Sequence, residues 1–180
     1  MCIRDRIYFL QTGPFLSSIG IPDSQIGPAM TIGQFAEILT MADLGYFLKI
    51  IGFKKVITIG ISAYCLRYAI FGSEFLPVWI IVISQAFHGF CYAFFFAAAY
   101  IYVDKLADED VRHSAQTVFG IIILGGGPVI GGWLSGFLQS ANTANGIFKF
   151  SSFWYTLSLI GFVTTFLFFM FFKEELTEGE

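Results

Sequence analysis

Five apolar stretches, each long enough to cross a bilayer as a helix, leave this chain few folds to choose from. A hydrocarbon core of ~30 Å takes about 20 helical residues. Stretches of that kind lie at about 29–50, 54–72, 77–103, 114–138 and 152–173. A sixth, from Ile7 to Gly20, is apolar but too short to span unaided, and it runs into the turn-rich Ile21-Pro22-Asp23-Ser24. Charged residues make up 13% of the 180, where a soluble domain carries about 25%. A soluble enzyme, a disordered chain and a disulfide scaffold are excluded. The expected class is an all-α polytopic membrane protein, its partner the lipid bilayer.

Net charge, −3, says little. Acidic residues collect at Asp108, Glu109 and Asp110 and in an acidic tail, 174–180, with Glu174, Glu175, Glu178 and Glu180. No basic cluster points to nucleic acid. Cys2 stands at the N-terminus, while Cys65 and Cys91 lie inside apolar runs and read as small buried hydrophobes.

The opening Met-Cys-Ile-Arg-Asp-Arg puts three charges where the short first span should continue. It resembles a translated sequencing-adaptor scar, so residues 1–6 are set aside as a non-native extension. The transmembrane bundle is expected over 7–173, with a partial helix at about 7–20 whose upstream half is missing. The chain is therefore expected to be a fragment.

Loop charge gives the orientation. Lys49, Lys54, Lys55, Lys105, Arg112 and Lys173 fall at one set of span ends, and only Lys149 at the other. The positive-inside rule places the first set, and the C-terminus, in the cytoplasm. In the fifth span, Gly127/Gly131 and Gly132/Gly136 form small-xxx-small pairs that let backbones approach. Pro128 should kink that helix by removing a backbone donor.

An ionisable group at mid-bilayer costs roughly 2.5–3.5 kcal/mol on insertion scales. Glu37, Asp43, Arg67 and His88 therefore each need a partner, a water-filled cavity or a neutral form. Thr31, Gln34, Glu37 and Met41 share one helical face, with Glu37 about eight residues, or ~12 Å, below the outer boundary. Gln34 offers donors and an acceptor suited to the edge of a heterocycle, and Glu37 can accept hydroxyls or carry a proton. The alternative is a structural ion pair between Glu37 and Arg67, whose depths match. Arg67 is read as structural, since a guanidinium stays charged. His88 lies roughly mid-bilayer, on a stripe with Ser84, Gln85, Tyr92 and Phe95. Such a stripe suits a cavity for a flat polar ligand, or else simple packing between helices. Asp43 points away from the Gln34–Glu37 face and is given no site role.

No phosphate-binding loop or paired-His motif is present. No nucleophile–base pair stands out beyond Ser84 and His88, one turn apart. Neither a cofactor nor a metal is expected, and the chain does not read as an enzyme.

Five motifs in order carry a family resemblance: Met30-Thr-Ile-Gly-Gln34-Phe-Ala-Glu37, Leu66-Arg67-Tyr68, His88-Gly89-Phe90-Cys91-Tyr92, Tyr102-Val103-Asp104-Lys105, and Arg112-His-Ser114-Ala115-Gln116. A basic Gly-containing turn, Phe47-Leu48-Lys49-Ile50-Ile51-Gly52-Phe53-Lys54-Lys55-Val56, accompanies them. Together they resemble the C-terminal half of bacterial nucleoside:proton symporters of the major facilitator superfamily. The likeness runs from about Gly13 to Lys173.

The resemblance implies a twelve-span inner-membrane transporter of two six-helix halves, with the nucleoside bound between them and a proton as coupling ion. This chain would supply the C-terminal half, its first helix truncated, and its partner would be the missing N-terminal six-helix half. Gln34 and Glu37 match positions that contact nucleoside, and Glu37 is a candidate in proton coupling. His88 and Tyr92 stand where family members line the same cavity, and the base could stack on Tyr92 or Phe95. The chain departs from the family at Ala93, where many members carry an Asp linked to coupling. Rival readings are a facilitator permease for sugars or another polar solute, a non-transporting orphan or receptor-like half, and a six-span protomer working as a homodimer.

Overall fold

A computed structural model describes residues 2–174, and most of them are helical. The helical elements are α1 (Cys2–Ser18), α2 (Asp23–Gly72), α3 (Val78–Leu106), α4 (Arg112–Ala141) and α5 (Phe150–Phe171). An antiparallel pair, β1 (Thr143–Ala144) with β2 (Ile147–Phe148), closes the α4–α5 turn, Thr143 opposite Phe148. Three of these helices, α3, α4 and α5, are long and apolar enough to cross a membrane. Of the acidic tail only Glu174 belongs to the described residues; Glu175, Glu178 and Glu180 lie outside them.

The spans expected at 29–50 and 54–72 are two arms of one 50-residue element. They meet at Gly52, where φ is 77° and ψ 167°. Only glycine adopts that left-handed backbone freely, so the basic text around Gly52 makes a bend rather than a loop. The first arm starts at Asp23 instead of 29. Pro22 precedes it with an extended backbone, and Asp23 places a carboxylate at the positive end of the helix dipole.

Helix α1 starts at Cys2 instead of Ile7, because the charges that argued against continuation are accommodated. Arg4 lies 5.5 Å over the Tyr64 ring, and Asp5 accepts a 2.9 Å hydrogen bond from the Tyr64 hydroxyl. The same helix stops at Ser18, short of Gly20, because Gly20 N–H donates to Ser17 O and Ile21 N–H to Leu16 O. That pair of bonds is a left-handed helix stop.

Packing joins the first arm of α2 to α3, the second arm to α3 and α5, and α1 to α4. One core cluster gathers Ile7, Tyr8, Phe15, Tyr68, Phe71 and Trp154; the other gathers Leu44, Phe53, Val56, Ile61, Phe94 and Tyr102. Much of the outside is apolar too: Phe35, Leu39, Ile121, Leu124, Val129 and Trp133 are exposed. A helix apolar all round suits hydrocarbon rather than water. In α4 the kink expected at Pro128 takes the form of a π-helical stretch at Ile121–Gly126. Widening the turn makes room for a ring that would collide with the carbonyl four residues back. The glycine pairs divide: Gly127 and Gly131 are buried, with Gly131 against the Ile3 backbone, while Gly132 and Gly136 have open space before them.

Candidate functional site

The polar residues of α2 and α3 meet where the two helices cross, and a glycine sets how closely. A methyl group on Gly89 would overlap the Ala36 carbonyl carbon and come within 2.5 Å of Glu37 N. One on Gly33 would lie 3.0 Å from His88 Cβ and 3.1 Å from Gln85 O. Both glycines therefore let the backbones touch. The crossing puts the Met30–Glu37 and His88–Tyr92 motifs side by side, although 51 positions separate Glu37 from His88.

The candidate residues fall on two sides of this crossing. Gln34 is exposed and Glu37 partly so, three residues apart on one face of α2. His88 is buried at 2% exposure. Its ring stacks on Tyr8 with centroids 5.1 Å apart and planes at 24°, meets Phe9 edge-on at 5.8 Å, and sets Nδ1 3.9 Å from Asp5 Oδ1. Tyr92, partly buried, stacks on Phe96 at 5.0 Å. Phe95, also partly buried, packs against the second core cluster, and Ala93 is wholly buried within it. Gln34 and Glu37 thus face outward, while His88 and Phe95 are engaged in packing.

Arg67, fully buried on the second arm of α2, is held by aromatic faces. Its guanidinium carbon stands 4.1 Å from the Tyr8 ring centroid, 5.1 Å from Tyr64 and 5.5 Å from Tyr68. Each such contact can contribute about 2 kcal/mol when water is excluded. Among the described residues no carboxylate lies within ion-pair distance of Arg67, so the Glu37–Arg67 pair is replaced by this tyrosine cage. The physical reason is placement: Glu37 lies on the open face of the first arm, whereas Arg67 faces the core.

The cage is only partly legible in the sequence. Tyr64, three residues before Arg67 on the same helix face, was a usable signal; Tyr8, on a separate helix, gave none. At the far end of α3, Gln116 donates to Asp104 Oδ1 at 2.8 Å and Arg112 Nε lies 3.9 Å from the same oxygen. The motifs around Asp104 and Gln116 are thereby joined across the α3–α4 turn.

Among the described residues no cluster of His, Cys, Asp or Glu is placed to hold a metal ion. A cleft of about 760 Å³ lies beside the β1–β2 hairpin, with Phe15, Phe71, Glu74, Lys149 and Tyr155 in its walls; none of the five candidate residues lines it.

Membrane-length apolar helices, with an amide and a carboxylate turned outward from their own core, define an integral membrane protein whose polar face lies away from its packing core. The family model for the nucleoside H+ symporter matches residues 1–177, and the chain belongs to that family. It is 32% identical over 177 residues to the protein named "Putative nucleoside transporter YegT" of Escherichia coli (strain K12), covering 93% of this chain and 41% of that protein. To the nucleoside permease NupG of the same organism it is 31% identical over 163 residues, covering 88% of this chain and 38% of the relative. The crystal structure of the nucleoside transporter NupG superposes with a TM-score of 0.85 at 26% identity, over 96% of this chain and 46% of that one. The chain thus spans about two fifths of the length of the curated relatives it matches.

Proposed function

We propose that the chain is the C-terminal six-helix half of a major facilitator nucleoside transporter in the plasma membrane, working by alternating access. The six segments are α1, the two arms of α2, α3, α4 and α5, with the C-terminus in the cytoplasm. The observation that carries this reading is the family match over 1–177 combined with an outward polar face at Gln34 and Glu37. A face of that kind, unsatisfied by its own half, calls for a cavity shared with an N-terminal half.

In this reading Gln34 reads the edge of the base, Glu37 accepts sugar hydroxyls, and Tyr92 and Phe95 supply flat apolar surface. His88 forms the wall from behind, through its packing against Tyr8. Glu37 is also the proton carrier: Ala93 offers no carboxylate, which leaves Glu37 on the cavity face. The half-site alone lacks its opposite wall and does not transport. Arg67 stays structural, and no metal or cofactor takes part.

The test is uptake of labelled uridine by cells deficient in nucleoside transport that express the complete gene, with and without a proton gradient. Saturable uptake that collapses with the gradient is the expected result. Uptake that persists would make the protein a facilitator. Competition by hexoses in place of uridine or adenosine would replace the substrate class.

A further inference from the structure

Tyr8 joins three helices at the back of the candidate site. It stands on α1, 1% exposed. Its hydroxyl donates to Gln85 Oε1 on α3 at 2.9 Å, its ring stacks on His88 of the same helix at 5.1 Å, and the Arg67 guanidinium of α2 lies over that ring at 4.1 Å. Gln85 has no exposed surface, and its Nε2 has no hydrogen-bond partner among the described residues; the same holds for His88 Nδ1. Among the described residues the Tyr8 hydroxyl is thus the hydrogen bond that orients the Gln85 carboxamide, whose two ends are otherwise nearly interchangeable. The imidazole plane is set in the same way, by ring contacts from Tyr8 and Phe9.

The geometry points to Tyr8 as a positioning residue for the polar stripe of α3: its hydroxyl fixes Gln85, its ring fixes His88, and Arg67 holds the ring in place. This inference rests on the reading of α3 as a wall of the nucleoside cavity. Tyr8 does not touch substrate in it. It acts through Gln85 and His88, which lie within one helical turn of each other, with His88 one turn from Tyr92.

The variant that isolates the hydroxyl is Tyr8→Phe, which keeps both ring contacts and leaves Gln85 Oε1 buried without a donor. KM for uridine uptake is expected to rise about fivefold, the equivalent of one buried hydrogen bond, with the membrane abundance of the transporter unchanged. A merely structural role would lower abundance and Vmax but leave KM alone, because KM does not depend on how much transporter is present. Gln85→Leu should raise KM by a similar factor. In the double variant the two effects should not add, since both remove the same contact. An unchanged KM in either single variant, or additive effects in the pair, overturns the assignment, and Gln85→Leu decides it should Tyr8→Phe fail to reach the membrane. Absence of uridine uptake by the unmutated protein is a separate result: it removes the transport reading and this inference with it.

Discussion

Glu174, just past the end of α5, accepts a hydrogen bond from the backbone N–H of Phe53 at 3.1 Å through one carboxylate oxygen, while its other oxygen accepts one from Lys54 at 3.2 Å. These are backbone donors at the start of the second arm of α2, immediately after the Gly52 bend. The carboxylate thus caps a helix N-terminus 121 positions away, and its charge lies where the helix dipole is positive. Glu174→Ala should lower stability by about 1 kcal/mol. Thermal unfolding of the purified protein in detergent would read it, and an unchanged midpoint would mean that water replaces the cap without loss.

Gly89 at the α2–α3 crossing makes a harsher demand. An added methyl has no room between the Ala36 and Glu37 backbone atoms, and these atoms cannot rotate away as a side chain would. Gly89→Ala should destabilise by roughly 1–3 kcal/mol, the usual range for overpacking. It should also weaken binding at Glu37, whose backbone must shift. A variant as stable as the parent would show that the helices can part without cost.

Arg67→Lys tests the tyrosine cage. An ammonium is compact and strongly hydrated, and it cannot lie flat on a ring as a guanidinium does. Losing the contact with Tyr8 alone should lower stability by about 2 kcal/mol in this fully buried setting, though charge is conserved. Equal melting of the two proteins would reduce the role of Arg67 to its charge.

Glu37→Gln keeps the shape and removes the charge. A hydroxyl hydrogen bond to a carboxylate is worth about 1.5–3 kcal/mol and one to a neutral acceptor about 1. Nucleoside affinity should therefore fall several-fold, and uptake should lose its dependence on the proton gradient. Retention of both properties would take Glu37 out of the site.

Tyr92→Ala removes a stacking surface. Base–aromatic stacking is worth about 1–3 kcal/mol and tolerates any base, so uridine and adenosine should weaken together, by about tenfold. Competition assays with the two nucleosides would check this; loss of one alone would mean that the residue reads the base edge.

The long apolar runs suffice to make this chain helical and suited to a membrane, because without water every backbone polar group must be satisfied within its own segment. The helices α3, α4 and α5 end within a few residues of where apolarity stops at charged or turn-forming text. The face shared by Gln34 and Glu37 was legible as well, since helical spacing is a local property. What local text could not supply was the long-range partner of each group. The bend at Gly52 is capped from Glu174, the approach of α2 and α3 depends on Gly89 meeting Ala36, and Arg67 finds Tyr8 instead of Glu37. Those choices follow from which helix faces pack together, a matter of three-dimensional fit between segments far apart in the chain. The sequence by itself determined the helices and their polar stripes; only the tertiary structure decided which stripe is open and which is buried.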